Sequence, residues 1–278
     1  MSLKSTFTVL LIGGLTAFTQ EQSSPIDVFH REGDQGQYEY YALNTQPCPY
    51  QVEVAFDVLQ NLEASVELPY FKVIYPDAEP QLLFDLNPLR RSATRFSSQH
   101  SLAKGDPEAK VEMDYAYWLP YKAGESAKLL QGYNGSYSHQ GSYSLDFDLT
   151  AGTGVYASRA GVVLEVKADS DEGGPDPSFK TKGNYITIFH ADGSFADYYH
   201  LQLNGAAVKP GDSIAAGQLI GYSGDTGWAD GPHLHFQVYK ATRMGIQTLP
   251  VNFQQAEGKV ISPKEKEVYK SYHPVSDQ

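Results

Sequence analysis

Two histidines stand two residues apart near the end of the sequence, in the segment GPHLHFQVY. If this segment forms a strand, His233 and His235 point to the same face, because successive side chains of a strand alternate between the two faces. Leu234, Phe236 and Val238 then make up an apolar opposite face. One His-x-His pair also arises by chance on exposed strands, so its meaning depends on the residues around it.

Other residues of the same region carry groups that bind metal ions or transfer protons. Asp146 and Asp148 share one face of the predicted strand SLDFDL, and His139 lies in the loop before it. His200 ends the predicted strand ADYYHL. Three nitrogen and oxygen ligands with an open position for water are typical of a catalytic zinc site. The two remaining histidines can then act as general base and acid, or hydrogen-bond to an oxyanion.

The order of these motifs resembles that of the lysostaphin/LytM-type zinc endopeptidases, which cut peptidoglycan peptides. The resemblance rests on His139 with Asp146, on YYHL and on GPHLHF. It continues between the motifs, in DFDLTAGTGVYASRAGVVLEV, NYITIFHADGSFADYYHL and VKPGDSIAAGQLIGYSGDTG. It covers roughly residues 125 to 245. The resemblance implies metal-assisted hydrolysis of peptide bonds in peptidoglycan.

Residue by residue, the resemblance implies that His139, Asp146 and His235 bind one zinc ion. His200 and His233 are then the catalytic pair beside it, and which of them is the general base stays open. The carboxylate follows the first histidine by seven residues, whereas the commonest spacing in the family is four. Asp148 is the alternative ligand; Asp146 is favoured because it aligns with the aspartate before the GT-x-V turn.

Further side chains near these motifs have less specific interpretations. Tyr133 and Tyr137 lie close to His139 in the sequence and are predicted to bind substrate, since aromatic rings stack on sugars and peptides. His190 precedes a predicted turn, ADG, and is expected to hydrogen-bond to the backbone rather than to bind metal.

Period-two alternation in short segments predicts an all-β chain. The alternating segments before residue 123, such as QVEVAFDVL, predict a β-sandwich-like domain over residues 20–122. Residues 123–245 are predicted to form a compact antiparallel β-sheet peptidase domain of the LytM type. Residues 246–278 are predicted to be a C-terminal extension that packs on it.

The first nineteen residues are predicted to be a secretory signal peptide. Lys4 precedes an uncharged apolar run from Phe7 to Phe18, which is shorter than the about 20 residues that span a bilayer as a helix. A short buried helix is the alternative interpretation. We therefore expect an exported protein, periplasmic or extracellular, without a transmembrane segment after cleavage.

Composition narrows the choice of partners. A formal net charge of -12 argues against a nucleic-acid partner, because phosphate binding requires clustered Lys and Arg. Cys48 is the single cysteine, so the chain forms no internal disulfide. The predicted partners are peptidoglycan peptides.

Three other functions are compatible with parts of the pattern. An inactive relative that regulates other cell-wall hydrolases would be expected to lack one of the five site residues, all of which are present. A carrier or phosphotransfer barrel shares the glycine pattern but does not need His139 and Asp146. Hydrolysis of general protein substrates by the same site is the third alternative.

Overall fold

In the computed structural model, residues 24–274 are described, and the predicted signal peptide lies outside them. The regular secondary structure of these residues is almost wholly β-strand, mostly in antiparallel sheets, which confirms the predicted all-β class. Within the described part of the chain, no helix is long and apolar enough to cross a membrane.

The N-terminal region contains two sheets, of four and three strands, in the orders β1-β2-β6-β4 and β5-β3-β7. Its strands are β1 (Asp27–Glu32), β2 (Tyr38–Leu43), β3 (Tyr50–Gln60), β4 (Leu62–Ala64), β5 (Tyr70–Ile74), β6 (Gln81–Pro88) and β7 (Arg95–Lys104). Side chains from both sheets, among them Tyr40, Val52, Ile74 and Phe84, form one buried hydrophobic cluster. The alternating strands thus bury one face each against the other sheet.

The second region is built around an eleven-stranded sheet. The first strands of this region, in that sheet or in smaller ones beside it, are β8 (Ala116–Tyr117), β9 (Ser126–Gln131), β10 (Ser144–Phe147), β11 (Gly154–Tyr156), β12 (Gly161–Lys167), β13 (Gly173–Gly174), β14 (Asn184–Phe189) and β15 (Ser194–Ala206). The remaining strands are β16 (Ser213–Ile214), β17 (Leu219–Ser223), β18 (Gly227–Trp228), β19 (Leu234–Thr242), β20 (Gly245–Leu249), β21 (Asn252–Gln254), β22 (Val260–Ile261) and β23 (Val268–Lys270). Two short 3₁₀ helices cover Pro177–Lys182 and Ala256–Gly258.

Strand β19 has an apolar face and a polar face, as its alternating sequence predicts. Leu234, Phe236 and Val238 are almost fully buried and join the main hydrophobic core of this region. His235 and Gln237 point to the opposite face. Neighbouring strands keep the same division: Leu145 pairs with Phe236, and Asp146 pairs with His235.

The segment between the two regions and the C-terminal segment both pack on the second region. Tyr117, Leu119 and Tyr121 belong to its core. β8 pairs in parallel with β21, β20 pairs with β19, and β23 pairs with β9. The predicted domain boundary at residue 122 stays a prediction.

The N-terminal region contacts the second region on the polar side of its sheet. Phe195 and Tyr239, paired across β15 and β19, stack with ring centroids 5.1 Å apart and join the N-terminal hydrophobic cluster. The Gln51 side chain, fully buried, hydrogen-bonds to the backbone of Thr242 and Met244 in the turn between β19 and β20. These contacts place the N-terminal region at the end of β19 that is farther from His235.

Candidate functional site

Four adjacent strands place a row of functional side chains on one face of the sheet. Asp146 of β10 pairs with Gln131 of β9 on one side and with His235 of β19 on the other. His235 in turn pairs with Tyr199 of β15. Directly paired residues of antiparallel strands project from the same face, so the register alone brings these side chains together.

His139 reaches this row from the loop between β9 and β10. Its side chain is buried, and its Nδ1 lies 3.1 Å from the carbonyl oxygen of Gly132. Because a carbonyl only accepts, Nδ1 carries the proton and Nε2 presents a lone pair. This Nε2 lies 3.2 Å from Nδ1 of His235 and 3.3 Å from Oδ2 of Asp146.

The donor set of His139, Asp146 and His235 fits a zinc ion. One ligand atom from each residue lies within 4.8 Å of the others. Two imidazole nitrogens and one carboxylate oxygen are the ligands of many catalytic zinc sites, which keep a further position open. The carbonyl that fixes the ring of His139 is the kind of outer partner that usually orients a metal-binding histidine.

The electrostatics of these three residues favour a charged carboxylate. Burial alone would raise the pKa of Asp146, but its contacts with the imidazoles of His139 and His235 outweigh burial and hold that pKa well below the usual value. Burial likewise acts to lower the pKa of His139, and the contact with Asp146 reverses the direction and raises it. The carboxylate of Asp146 is therefore ionised at neutral pH.

His200 and His233 lie side by side next to these residues, with ring centroids 4.6 Å apart. Nδ1 of His200 is 2.7 Å from the carbonyl oxygen of Thr226, and Nδ1 of His233 is 2.9 Å from that of Gly231. In each ring, Nδ1 must therefore donate, which leaves Nε2 as the lone-pair nitrogen. Nε2 of His233 lies 3.7 Å from Oδ1 of Asp146.

Backbone conformation places both of these histidines. His200 has a φ of 65°, in the left-handed region that few non-glycine residues adopt, and the register of β15 with β17 is irregular just after it. Gly227 has a φ of 82°, and a Cβ there would lie 2.5 Å from Cα of Gly183. The glycine lets two backbone segments approach each other beside His200, whose pKa burial lowers to about 3. His200 is neutral at physiological pH.

The two arms of a groove meet at the site. The first arm, a cavity of about 340 Å³, is lined by Gln131, Tyr137, Asp146, His200, Trp228, Asp230, His233, His235 and Glu265, among others. The second arm, of about 260 Å³, is lined by Ser138, His139, Lys180, Gly183, Tyr199, His200, Trp228, His235 and Gln237. His235 and His200 line both arms, so the candidate metal centre lies at their junction.

An aromatic pair lines the groove. Tyr137 lies in the loop before β10 and Trp228 lies in β18, with ring centroids 6.3 Å apart. The indole N–H of Trp228 donates to the carbonyl oxygen of Pro175 at 2.9 Å, and the Lys180 ammonium lies 5.6 Å from the ring centroid. These two contacts fix the indole ring of Trp228, whereas the Tyr137 side chain is 61% exposed.

The other residues singled out in the sequence lie apart from this cluster. The Tyr133 hydroxyl hydrogen-bonds to the backbone of Val251. Asp148 is exposed, lies just after the end of β10 and is not among the three residues whose ligand atoms cluster. His190 donates from Nδ1 to the carbonyl of Ala160 at 2.8 Å, which confirms the expected backbone hydrogen bond.

Several groove residues had no signal in the sequence that we used. Gln131, Ser138, Lys180 and Trp228 line the groove or support it, but they belong to no spaced motif. Gln131 carries one usable signal: it is a polar residue at the third inward position of the alternating strand SAKLLQ.

Comparison with known proteins places this geometry in a family. Residues 139–252 match Peptidase family M23. The chain is 40% identical over 95 residues to lysostaphin from Staphylococcus simulans, a match that covers 34% of this chain and 17% of that protein. It is 34% identical over 111 residues to the peptidoglycan DD-endopeptidase ShyA from Vibrio cholerae, covering 40% of this chain and 22% of ShyA. The matched stretch thus spans about a fifth of these curated relatives.

Among solved structures, the catalytic domain of lysostaphin from Staphylococcus simulans has 31% sequence identity and a TM-score of 0.33, over 45% of this chain and 87% of that chain. The family match begins at His139 and includes Asp146, His200, His233 and His235. The resemblance inferred from the order of the motifs is therefore confirmed, and this chain carries a domain of Peptidase family M23.

Proposed function

We propose that this protein is an exported zinc metalloendopeptidase that hydrolyses peptide bonds in bacterial peptidoglycan. The observation that carries the proposal is the three-ligand cluster of His139, Asp146 and His235 at the junction of a two-armed groove, with two lone-pair imidazole nitrogens beside it. The names of the relatives, which include a peptidoglycan DD-endopeptidase and lysostaphin, support peptidoglycan as the substrate.

In this proposal His139, Asp146 and His235 hold one zinc ion. A zinc ion in such a site supplies Lewis acidity toward water and toward a peptide carbonyl. Asp146 contributes the negative charge that partly neutralises the cation, and its lowered pKa keeps that charge in place. The carbonyl of Gly132 holds the His139 ring with Nε2 toward the cluster.

His200 and His233 handle protons in this proposal. Their Nδ1 atoms donate to backbone carbonyls, so only Nε2 of each ring can accept a proton. One ring takes the proton of the attacking water at Nε2 and later returns it to the leaving amine. While it carries that proton, this ring also donates a hydrogen bond to the oxyanion, and the other ring accepts a hydrogen bond at Nε2 from the water or the substrate. Either assignment of the two roles satisfies this geometry.

The groove supports an endopeptidase rather than an exopeptidase. Both arms have room for a substrate that extends on either side of the reacting bond. Within residues 24–274, the lining of both arms comes from the second region alone. Export is supported by the signal-like sequence of residues 1–19, since peptidoglycan lies outside the cytoplasmic membrane.

The decisive experiment uses the mature protein, residues 20–278, and its His235→Ala variant. Zinc content is measured by elemental analysis, and activity is followed as the loss of turbidity of purified sacculi. His100→Ala is the matched control, because His100 is an exposed histidine on β7. We expect zinc and activity in the parent and the control, and neither in His235→Ala.

Two results would contradict the proposal. If the parent protein contains no zinc, the proposed metal centre is wrong. If turbidity falls equally with the parent and with His235→Ala, the proposed metal centre has no role in hydrolysis. Zinc binding without any hydrolysis would instead favour an inactive regulator of other hydrolases. Mass spectrometry of released fragments identifies the bond, for example D-Ala–diaminopimelate or oligoglycine.

A further inference from the structure

Gln131 contacts the candidate metal centre although the proposed reaction gives it no chemical step. It ends β9, is 9% exposed and pairs with Asp146. Ala127 and Leu129, at the preceding inward positions of β9, belong to the apolar core. The register shifts between Asp146 and Phe147, so that Leu129 pairs with Phe147 and Gln131 with the carboxylate. A β-bulge beside a site commonly redirects a side chain in this way.

The amide of Gln131 makes four hydrogen bonds, which uses its whole capacity. Nε2 donates to Oδ2 of Asp146 at 3.1 Å and to Oγ of Ser138 at 2.7 Å. Oε1 accepts from the backbone N–H of Tyr137 at 3.0 Å and from that of Ser138 at 3.2 Å. One buried side chain thus joins a ligand carboxylate to a loop.

Chemistry decides the orientation of this amide. Backbone N–H groups only donate, so the amide oxygen must face Tyr137 and Ser138. The amide nitrogen then faces Asp146, whose ionised carboxylate only accepts. Both the amide oxygen and the amide nitrogen therefore face complementary partners. A flipped amide would place its N–H groups against the backbone N–H groups and its oxygen against the carboxylate.

The loop held by Gln131 is the one that carries His139. Ser138 directly precedes His139, and the chain returns to the sheet only at Ser144, where β10 begins. A Cβ at Gly135 would lie 2.4 Å from Cγ of Gln131, so the loop backbone also packs closely on this side chain. The long, seven-residue separation of His139 and Asp146 needs such a support, because the loop contains no regular secondary structure.

We propose that Gln131 is a positioning residue that preassembles the metal centre by fixing two of its three ligands at once. It fixes Asp146 through Oδ2, and it fixes His139 through the backbone of Tyr137 and Ser138. The proposal rests on the proposed function, since it requires that the cluster binds a metal ion. Outer partners of metal ligands commonly contribute a factor of about 10–100 in metal affinity.

Two variants change these contacts to different extents. Gln131→Met has a similar length and makes none of the four hydrogen bonds. Gln131→Glu retains acceptors for Tyr137 and Ser138 but, when ionised, repels Asp146 instead of donating to it. The matched control is Gln51→Met, which removes a buried amide of the N-terminal region that hydrogen-bonds to backbone groups.

The readouts are zinc affinity and ligand geometry, measured on the mature protein rather than inferred from activity. The zinc dissociation constant is obtained by competition with a chelator, and the visible absorption of the Co²⁺-substituted protein reports the geometry of the ligands. We expect both Gln131 variants to bind zinc about 10–100-fold more weakly, with an altered Co²⁺ spectrum. Gln51→Met is expected to keep the affinity and the spectrum of the parent.

Several outcomes would overturn the inference. If both Gln131 variants match the parent protein in zinc affinity and in the Co²⁺ spectrum, Gln131 is a packing residue only. If Gln51→Met weakens zinc binding equally, the effect is one of general stability. A parent protein that binds no zinc contradicts the proposed function itself, which distinguishes the two failures. Circular dichroism of the metal-free variants checks folding, and if Gln131→Met fails to fold, Gln131→Glu decides.

Discussion

The two β regions of this protein bury polar side chains against different partners. In the N-terminal region, the fully buried Asn44 donates to the backbone carbonyls of Cys48 and Ile74, and Gln51 bonds to backbone groups of the hairpin turn at Thr242. In the second region, one group of buried and half-buried polar side chains bonds to other side chains instead. Ser144, Gln237, Asp197 and Thr187 form such a chain across four strands.

This difference separates structural polar groups from candidate functional ones. A side chain whose capacity is used by backbone groups stabilises the fold and presents nothing to a ligand. The row of Gln131, Asp146 and His235 instead ends at an open groove, which all three residues line. The same all-β architecture therefore supports two sheets with a shared hydrophobic cluster in one region and a candidate metal centre in the other.

The largest expected effect comes from removing a ligand of the second region. Asp146→Asn should lower kcat/KM by about 1,000-fold or more, since even outer partners of a metal contribute 10–100-fold in affinity. Asp148→Asn, at an exposed residue outside the ligand cluster, should leave zinc binding and activity unchanged. Zinc content and hydrolysis of sacculi measure both variants, and the reverse result would move the ligand to Asp148.

The next effect separates proton transfer from metal binding. His200→Ala and His233→Ala should each reduce kcat by about 100-fold or more, the usual contribution of a general acid or base. Zinc affinity should stay close to that of the parent protein. Loss of zinc in either variant would show that these rings belong to the metal centre instead.

A pH measurement tests a group of the second region, His190, that is buried and bonded to backbone like the N-terminal groups. Burial lowers its pKa from 6.5 to about 4. Between these values the unfolded chain binds a proton that the folded chain excludes, so lowering the pH favours unfolding. The contribution to the free energy of unfolding should fall by about 2 kcal/mol between pH 6.5 and 4.5.

The comparison for this test is His190→Asn, whose amide can still donate to the Ala160 carbonyl and does not titrate. Urea denaturation at pH 6.5 and 4.5 should show a smaller loss of stability in this variant than in the parent. An equal loss of stability in both proteins would mean that groups other than His190 cause the destabilisation at acid pH.

The smallest expected effect concerns the rim of the groove. Tyr137→Ala should raise KM for peptide fragments about 2- to 10-fold with little change in kcat, the size of a single aromatic contact. Tyr75→Ala is the matched control, because Tyr75 is a comparably exposed tyrosine of the N-terminal region. Equal KM values for the two variants would exclude Tyr137 from substrate binding.

Much of the framework was predictable from local pattern. Alternation in HLHFQVY separates a core face from a histidine face because strand geometry has a period of two. Motif order identified the family and named His139, Asp146, His200, His233 and His235, which the fold brings into one cluster. The groove was less accessible to sequence reasoning: Tyr133, near His139 in the sequence, bonds instead to the backbone of Val251.

The sequence by itself determined the all-β class, the apolar face of β19 and the residue types of the site, because these depend on side-chain chemistry and short-range periodicity. Only the tertiary structure decided which atoms meet. Strand register set Asp146 beside His235, a β-bulge turned Gln131 toward the carboxylate, and the carbonyl of Thr226 selected the lone-pair nitrogen of His200. These are contacts between segments far apart in the chain, and no local pattern specifies them.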